Sequence, residues 1–115
     1  LQVGGVSNRL VTGSAPLCFD GGASAHCRLL DGPTQDFNLM LRGARGRLQR
    51  VDARLERRLD APALIAVYAH SRRAAARFGT EDAVLEPGTL LWGVLHPGSA
   101  WEVQAAGALC MEVPL

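Results

Sequence analysis

The sequence predicts an all-β fold for two reasons. Its 115 residues include 13 glycines and 6 prolines, which divide the chain into short apolar runs. Short runs bounded by turn residues at this spacing are typical of β-sandwiches and β-barrels. The second reason is the run 63–70, in which Ile65, Val67 and Tyr68 are typical of a buried strand. A hydrophobic content of 48% is enough for one packed core, so we expect a single domain over residues 1–115.

The N-terminal half of the chain predicts short strands between turns. A turn at Gly4-Gly5 follows the first apolar run, and the Gly32-Pro33 turn precedes the most distinctive segment of the chain. Segment 15–19 contains a proline, so we expect an edge strand or a loop there. Strands are expected over residues 1–3, 9–11, 25–30 and 37–42.

The C-terminal half predicts longer strands. Segment 46–60 fits two patterns, because Leu48, Val51 and Leu55 lie near helical spacing while Val51, Ala53 and Leu55 also alternate as in a strand. The clearest buried strand is expected over residues 63–70. A short polar connection with one helical turn is expected around Arg72, Arg73 and Arg77. Further strands are expected over residues 83–85, 89–95, 101–104 and 109–113.

The segment after the Gly-Pro turn carries the most unusual chemistry. In a strand, successive side chains point to opposite faces. Phe37, Leu39 and Leu41 would then form an ordinary core face. The opposite face would carry an acid, an amide, a thioether and a guanidinium, from Asp36, Asn38, Met40 and Arg42.

Three features of the sequence together resemble the HutD/Ves family of bacterial cupin-like proteins. They are the segment Phe19-Asp20-Gly21-Gly22-Ala23, the Gly-Pro turn, and the heptapeptide Asp-Phe-Asn-x-Met-x-Arg that starts at residue 36. The resemblance is strongest over residues 1–45. It implies a cupin-like β-barrel of the jelly-roll type, and a chain that is the C-terminal portion of a longer protein with two such barrels (a bicupin). It also favours strand over helix for segment 46–60.

The polar face of the motif segment is the predicted ligand site. Arg42 could hold a carboxylate with two parallel hydrogen bonds, Asn38 could donate beside it, and Asp36 could orient the arginine. Arg42 and Asn38 are about 13 Å apart along a strand, so one small ligand would contact at most two of the three residues. His26 and Tyr68 are further lining candidates. The alternative is a polar network that ties the segment to neighbouring turns.

The histidines do not form the pattern of a metal cupin. Those enzymes usually place two histidines one residue apart, whereas His26, His70 and His96 are isolated. We therefore predict no metal, no cofactor and no catalytic residue. A solvated position is expected for His96, and core positions are expected for Trp92 and Trp101.

By resemblance, the first hypothesis is a non-enzymatic small-molecule-binding protein that senses or limits histidine utilisation, or acts in a related stress response. Its ligand would be a small carboxylate such as formate, urocanate or an N-formylglutamate-like acid. A metal-dependent cupin enzyme acting on a small organic acid is the alternative hypothesis. A structural or interaction domain that self-associates through a strand edge is the third, and a homodimer would fit it.

Composition argues against several other classes. The net charge is +1, and the arginine-rich run 42–58 is interrupted by acids and lacks aromatic residues, so we expect no nucleic-acid partner. No apolar run reaches the roughly 18 residues needed to cross a bilayer, so we expect a cytoplasmic protein without a membrane partner. The three cysteines, Cys18, Cys27 and Cys110, lack metal-site spacing and are expected to be buried free thiols.

Overall fold

The computed structural model describes residues 1–115 and contains strands and turns but no helix. Its strands form three sheets, and every strand pairing is antiparallel. This confirms the all-β prediction. No helix of the protein is long and apolar enough to span a membrane. The chain forms two compact units, Leu1–Met40 and Leu41–Leu115. The single cupin-like domain expected over the whole chain stays a prediction.

The first unit is built on a small sheet of three two-residue strands in the order β2-β1-β3. The strands are β1 (Gln2–Val3), β2 (Val6–Ser7) and β3 (Ala25–His26). Val3 pairs with Val6 across a two-residue loop, Gly4 and Gly5, whose φ angles are 54° and 83°. Two consecutive positive φ angles suit a tight hairpin turn, and glycine adopts them without steric cost. The glycine pair therefore explains why this hairpin forms.

Three strand predictions in the first half of the chain differ from the structure. No strand forms over residues 9–11, and the strand expected over 25–30 is limited to Ala25–His26. Residues 33–41 form no strand at all, so the motif segment does not have the alternating faces predicted for it. The physical reason is the lack of a paired neighbour, since an alternating pattern becomes a strand only where a ladder satisfies its backbone groups.

The second unit contains eight strands in two open four-stranded sheets. The first sheet has the order β4-β11-β6-β9 and the second β5-β10-β7-β8, and neither is closed into a barrel. Consecutive strands mostly alternate between the sheets, since only β7 and β8 are both consecutive and paired. The strands are β4 (Arg47–Val51), β5 (Arg54–Arg58), β6 (Ala63–Ala69), β7 (Ala74–Phe78), β8 (Glu81–Leu85), β9 (Thr89–Leu95), β10 (Ala100–Gln104) and β11 (Ala108–Pro114).

The core of the second unit receives side chains from both sheets. Ile65 and Val67 come from β6 of the first sheet, and Trp101 and Val103 come from β10 of the second. All four are essentially inaccessible to solvent. They are spaced two residues apart on each strand, as the alternation of side chains requires. The intervening positions on these strands therefore face away from the core, and this decides which side chains are available to a ligand or partner.

Most strand predictions for the second half are confirmed. Segment 46–60 is two strands rather than a helix, and β9 covers the predicted residues 89–95. The polar connection predicted around Arg72, Arg73 and Arg77 is present at Arg72 and Arg73, but it has no helical turn, and Arg77 lies on β7. Ala74 and Ala76 are buried there while Ala75 and Arg77 are exposed. Buried and exposed side chains therefore alternate along β7, but the sequence does not show this alternation because alanines occupy both faces.

The prediction for the two tryptophans is half correct. Trp101 is 1% exposed in the core, whereas Trp92 is 63% exposed. Trp92 pairs with Ala66 on the face of β9 and β6 opposite to Ile65 and Val67. The cysteine prediction holds only for Cys110, because Cys18 and Cys27 are exposed free thiols.

Candidate functional site

The structure does not join the sequence-predicted ligand residues into a bonded site. Asp36, Asn38 and Arg42 are exposed, and His26 is exposed on β3. None of these four side chains forms a hydrogen bond or an ion pair, so the structure shows no polar network that ties the segment to neighbouring turns, and the ligand-binding roles stay predictions. Tyr68 is half-buried on β6.

Of the aromatic candidates, Tyr68 lies beside a histidine. The ring centroids of Tyr68 and His70 are 6.2 Å apart with a 40° angle between the ring planes. His26 is on the sheet of the first unit, and His96 is exposed in a turn of the second unit. No group of three or more His, Cys, Asp or Glu side chains could hold a metal ion.

A different polar cluster lies between the two sheets of the second unit. The carboxylate of Glu112 accepts hydrogen bonds from Arg57 Nη2 at 2.8 Å and from Trp101 Nε1 at 3.3 Å. Each donor binds a separate oxygen, so both carboxylate oxygens are engaged. Glu112 is on β11, whereas Arg57 and Trp101 are on β5 and β10 of the other sheet. The cluster therefore connects the two sheets through side chains.

The position of Glu112 follows from strand alternation. Cys110 is buried in the core two residues earlier on β11, so Glu112 points to the same side of the strand. Its side chain is 12% exposed, and that of Arg57 is 33% exposed. A carboxylate with so little access to water is tolerated only when it is paired and hydrogen-bonded. Arg57 and Trp101 supply that pairing.

A pocket of about 210 Å³ opens beside this carboxylate. Glu112 forms one wall, and Arg47 is its direct partner across the β4–β11 ladder. Arg45 and Arg47 are both exposed, and neither forms an ion pair or a side-chain hydrogen bond. The lining residues are Arg45, Gly46, Arg47, Glu112 and Pro114.

Gly46 fixes the backbone between the two free arginines. A Cβ atom at this position would lie 2.7 Å from Leu41 Cδ1, 3.0 Å from Val113 Cγ2 and 3.2 Å from the backbone oxygen of Glu112. The contact with Leu41 Cδ1 is shorter than real Cβ contacts, and the other two are tighter than most, so a larger residue would have to displace the Leu41 side chain and shift β11 by a few tenths of an ångström. Arg45 and Arg47 flank this glycine and line the pocket with it.

The guanidinium groups of this pocket define its chemistry. The Glu112 carboxylate is already satisfied by Arg57 and Trp101, so Arg45 and Arg47 keep their donors for a ligand. Each guanidinium presents parallel N–H groups that match a carboxylate or a phosphate. The arrangement can bind a small anion through the guanidinium groups of Arg45 and Arg47.

A second depression, of about 240 Å³, lies on the second sheet. Its charged groups bind one another, because Arg77 Nε donates to Asp82 at 2.7 Å and Arg54 Nε donates to Glu102 at 2.8 Å. The hydrogen bond from Arg77 lowers the pKa of Asp82, and the hydrogen bonds from Arg54 and then Gln104 lower the pKa of Glu102. This depression therefore has no free cation to offer. Its lining residues are Ala75, Ala76, Arg77, Asp82, Ala83, Val84, Glu102 and Gln104.

Sequence reasoning missed the residues of the Glu112 cluster and of the pocket beside it. It treated Arg45, Arg47 and Arg57 as members of one solvated arginine run, and it did not single out Glu112. The available signal was a lone acid inside the apolar run of β11, where a carboxylate requires a partner. Its partner could not be named, because Arg57 is 55 residues away along the chain.

Comparison with known proteins gives one match. A protein-family model described as HutD matches residues 1–111. No curated protein matches the chain, and no solved structure matches it.

Proposed function

This chain belongs to the HutD family, and we propose that it is a non-enzymatic protein that binds a small carboxylate in the pocket beside Glu112. In this proposal the bound acid reports the level of a metabolite, and the protein acts as a sensor or regulator in histidine utilisation or a related stress response. The resemblance of the motif segment to the HutD/Ves proteins supports that role.

One observation carries the proposed binding site. Arg45 and Arg47 are unpaired, while the acid between the sheets is already bonded to Arg57. The pocket thus has two free guanidinium groups beside a carboxylate that Arg57 already pairs with, which leaves an excess of positive charge. An anionic ligand that bonds to the two free guanidinium groups would balance this excess.

The size of the pocket supports a small ligand. Pockets for drug-sized ligands usually have volumes of about 300–1,000 Å³, and this pocket has about 210 Å³. Acids such as formate, urocanate and N-formylglutamate fall in the smaller class. The guanidinium pair would bind the carboxylate of such an acid, and the alkyl wall of Pro114 would contact its body.

We also propose that the second unit is a cupin-like jelly roll. A jelly roll consists of eight strands in two sheets with Greek-key connections. The two four-stranded sheets and the alternation of consecutive strands between them support this assignment. The longer, two-barrel protein implied by the family resemblance stays a prediction, and so do ligand-binding roles for Asp36, Asn38, Arg42, His26 and Tyr68.

A thermal-shift panel tests the proposal. Formate, urocanate, N-formylglutamate, glutamate and histidine would each be added to the wild-type protein. A ligand at about 100 times its dissociation constant adds about 2.7 kcal/mol, which raises the melting temperature of a small domain by several degrees. We expect such a shift for at least one acid, and we expect Arg47→Ala to abolish it.

Two further variants make the panel specific. Arg58→Ala is the matched control, since Arg58 is also exposed on a strand of this unit and forms no ion pair. It should keep the full ligand response. Arg42→Ala tests the site predicted from the motif. Loss of the response in Arg42→Ala with retention in Arg47→Ala would move the ligand away from the Glu112 pocket, and no response to any acid would reject this ligand class.

A further inference from the structure

The two sheets of the second unit have four edge strands, and one of them differs in composition. β4, β5 and β8 each carry at least two charged residues. The fourth, β9, has the sequence TLLWGVL, with no charge and no proline. Proteins usually protect exposed edges with charges, prolines, bulges or a covering segment, because an unprotected edge pairs with another strand. β9 lacks the charges and prolines that would prevent such pairing.

The outer side of β9 is also free. Its ladder joins it to β6, and no other backbone hydrogen bond involves residues 90–95. The side chains of Leu90, Trp92 and Val94 are exposed large apolar groups on one face of this strand. A free edge and an exposed apolar row thus coincide on a single strand.

From these observations we propose that β9 pairs with β9 of a second copy of this chain, antiparallel and about a two-fold axis. Trp92 is the central residue of Thr89–Leu95, so full overlap places Trp92 opposite its own counterpart. Leu90 then faces Val94 of the second copy, and both pairs are apolar. The β4-β11-β6-β9 sheet of one copy then joins the same sheet of the second copy, and the dimer has one continuous sheet of eight strands.

A second copy fits this edge better than a charged partner. The strand offers no charge for an unlike protein to recognise, whereas its apolar pattern is symmetric about Trp92 and complements itself in an isologous contact. Two stacked or tilted indole rings at the axis would add to the backbone pairing. Antiparallel self-pairing also satisfies the free N–H and C=O groups of both copies.

The size of the contact sets the expected affinity. A seven-residue strand is about 24 Å long, and Trp92 at 63% exposure offers on the order of 150 Å² of surface. An interface built from one strand and three side chains falls at the small end of specific interfaces, below about 1,200 Å² in total. The dimer should therefore form in the micromolar range and dissociate on dilution.

Sedimentation velocity over a concentration series tests this proposal on the whole chain. The wild-type protein should pass from monomer to dimer as its concentration rises into the high micromolar range. Val94→Lys places a charge on the paired edge and should hold the protein in the monomeric state. The matched control is Val84→Lys on β8, where the same substitution falls on an exposed valine of another edge strand and should leave the dimer unchanged.

Crosslinking tests the register independently of the lysine variants. Trp92→Cys would be made in a Cys18→Ser, Cys27→Ser background, because both native thiols are exposed. Residues directly opposite each other have Cβ atoms about 5 Å apart, so a short bis-maleimide should join two copies at position 92. Leu90→Cys is the control, since its counterpart would be about 14 Å away along the strand.

Either experiment can overturn the proposal. A protein that stays monomeric at every concentration has no such dimer. A dimer that survives Val94→Lys but is lost in Val84→Lys uses the other edge. Equal crosslinking at positions 90 and 92 contradicts the register centred on Trp92. A circular dichroism spectrum would verify that the Val94→Lys variant is folded.

Discussion

The indole Nε1 of Trp101 donates a hydrogen bond to Glu112 across the space between the two sheets, at 3.3 Å. Trp101 is among the most deeply buried side chains of the protein, and Glu112 is next to the arginines of the proposed pocket. The same carboxylate therefore links the packing of the core to the position of the proposed ligand site. Changes at Glu112 should affect stability and binding together.

Removing the charge of Glu112 should destabilise the protein. Glu112→Ala leaves Arg57 without its partner and the Trp101 N–H without an acceptor. The side chain of Arg57 is 33% exposed, so water can replace part of the lost hydrogen bonding. We expect a loss of about 1–3 kcal/mol in the free energy of unfolding. Urea denaturation would measure it.

The control for this variant is Glu86→Ala. Glu86 pairs with Arg73 at 3.0 Å, but both side chains are more than 60% exposed. Exposed ion pairs contribute about 0–1 kcal/mol, so Glu86→Ala should change stability little. Equal losses in the two variants would show that the inter-sheet bonds of Glu112 add nothing beyond a surface ion pair.

Gly46→Ala should cost stability for steric reasons. The added Cβ would lie 2.7 Å from Leu41 Cδ1 and 3.2 Å from the backbone oxygen of Glu112, so the Leu41 side chain must move and the contact with β11 must open by a few tenths of an ångström. We expect a loss of about 1–3 kcal/mol and weaker ligand binding at Arg45 and Arg47. Gly21→Ala is the control, because a Cβ there meets nothing within 4 Å. A Gly46→Ala variant as stable as Gly21→Ala would refute the close approach.

Acid should weaken the second sheet. Hydrogen bonds from arginines lower the pKa of Asp82 and of Glu102 below their ordinary values of about 4. A lowered pKa in the folded state means that the unfolded chain binds more protons, so these groups stabilise the fold above about pH 4 and lose that effect as the pH falls further. The Asp82→Asn, Glu102→Gln double variant should show a shallower loss of stability between pH 5 and about pH 2. An unchanged slope in urea titrations would contradict these shifts.

The cysteines should differ in reactivity. Burial raises the pKa of Cys110 to about 12, whereas Cys18 and Cys27 are exposed. A maleimide at neutral pH should label two thiols in the folded protein and three in denaturant. Because the folded pKa lies above the unfolded value of about 8.5, the contribution of this thiol to stability should fall as the pH rises from there toward 12. Rapid labelling of three thiols in the native protein would show that Cys110 is accessible.

The sequence predicted strands well where a continuous apolar run is bounded by turn residues. The run 63–70 became the central strand β6, and Thr89–Leu95 became β9, because their β-branched and large apolar residues suit a sheet. It failed at the motif segment, where alternation alone suggested a strand. Whether a segment finds a ladder partner depends on residues far along the chain, which a local pattern does not contain.

The candidate site could be predicted only in its chemistry. The sequence predicted an arginine that holds a carboxylate at Arg42, which stays a prediction, whereas the free arginines of the Glu112 pocket are Arg45 and Arg47. The pocket depends on the register of β4 with β11, which places Arg47 opposite Glu112 across 65 residues of sequence. Exposure of Trp92 likewise depends on which face of β9 meets the core, and the strand is apolar on both faces.

An NMR titration with ¹⁵N-labelled protein tests the central claim most directly. A carboxylate that stabilises the protein in the thermal panel would be added stepwise while backbone and arginine Nε–H resonances are followed. The proposed pocket predicts saturable shifts at Arg45, Gly46, Arg47 and Glu112, and their loss in Arg47→Ala. Saturable shifts confined to Asp36, Asn38 and Arg42, or no saturable shift at residues 45–47 and 112, would contradict carboxylate binding beside Glu112.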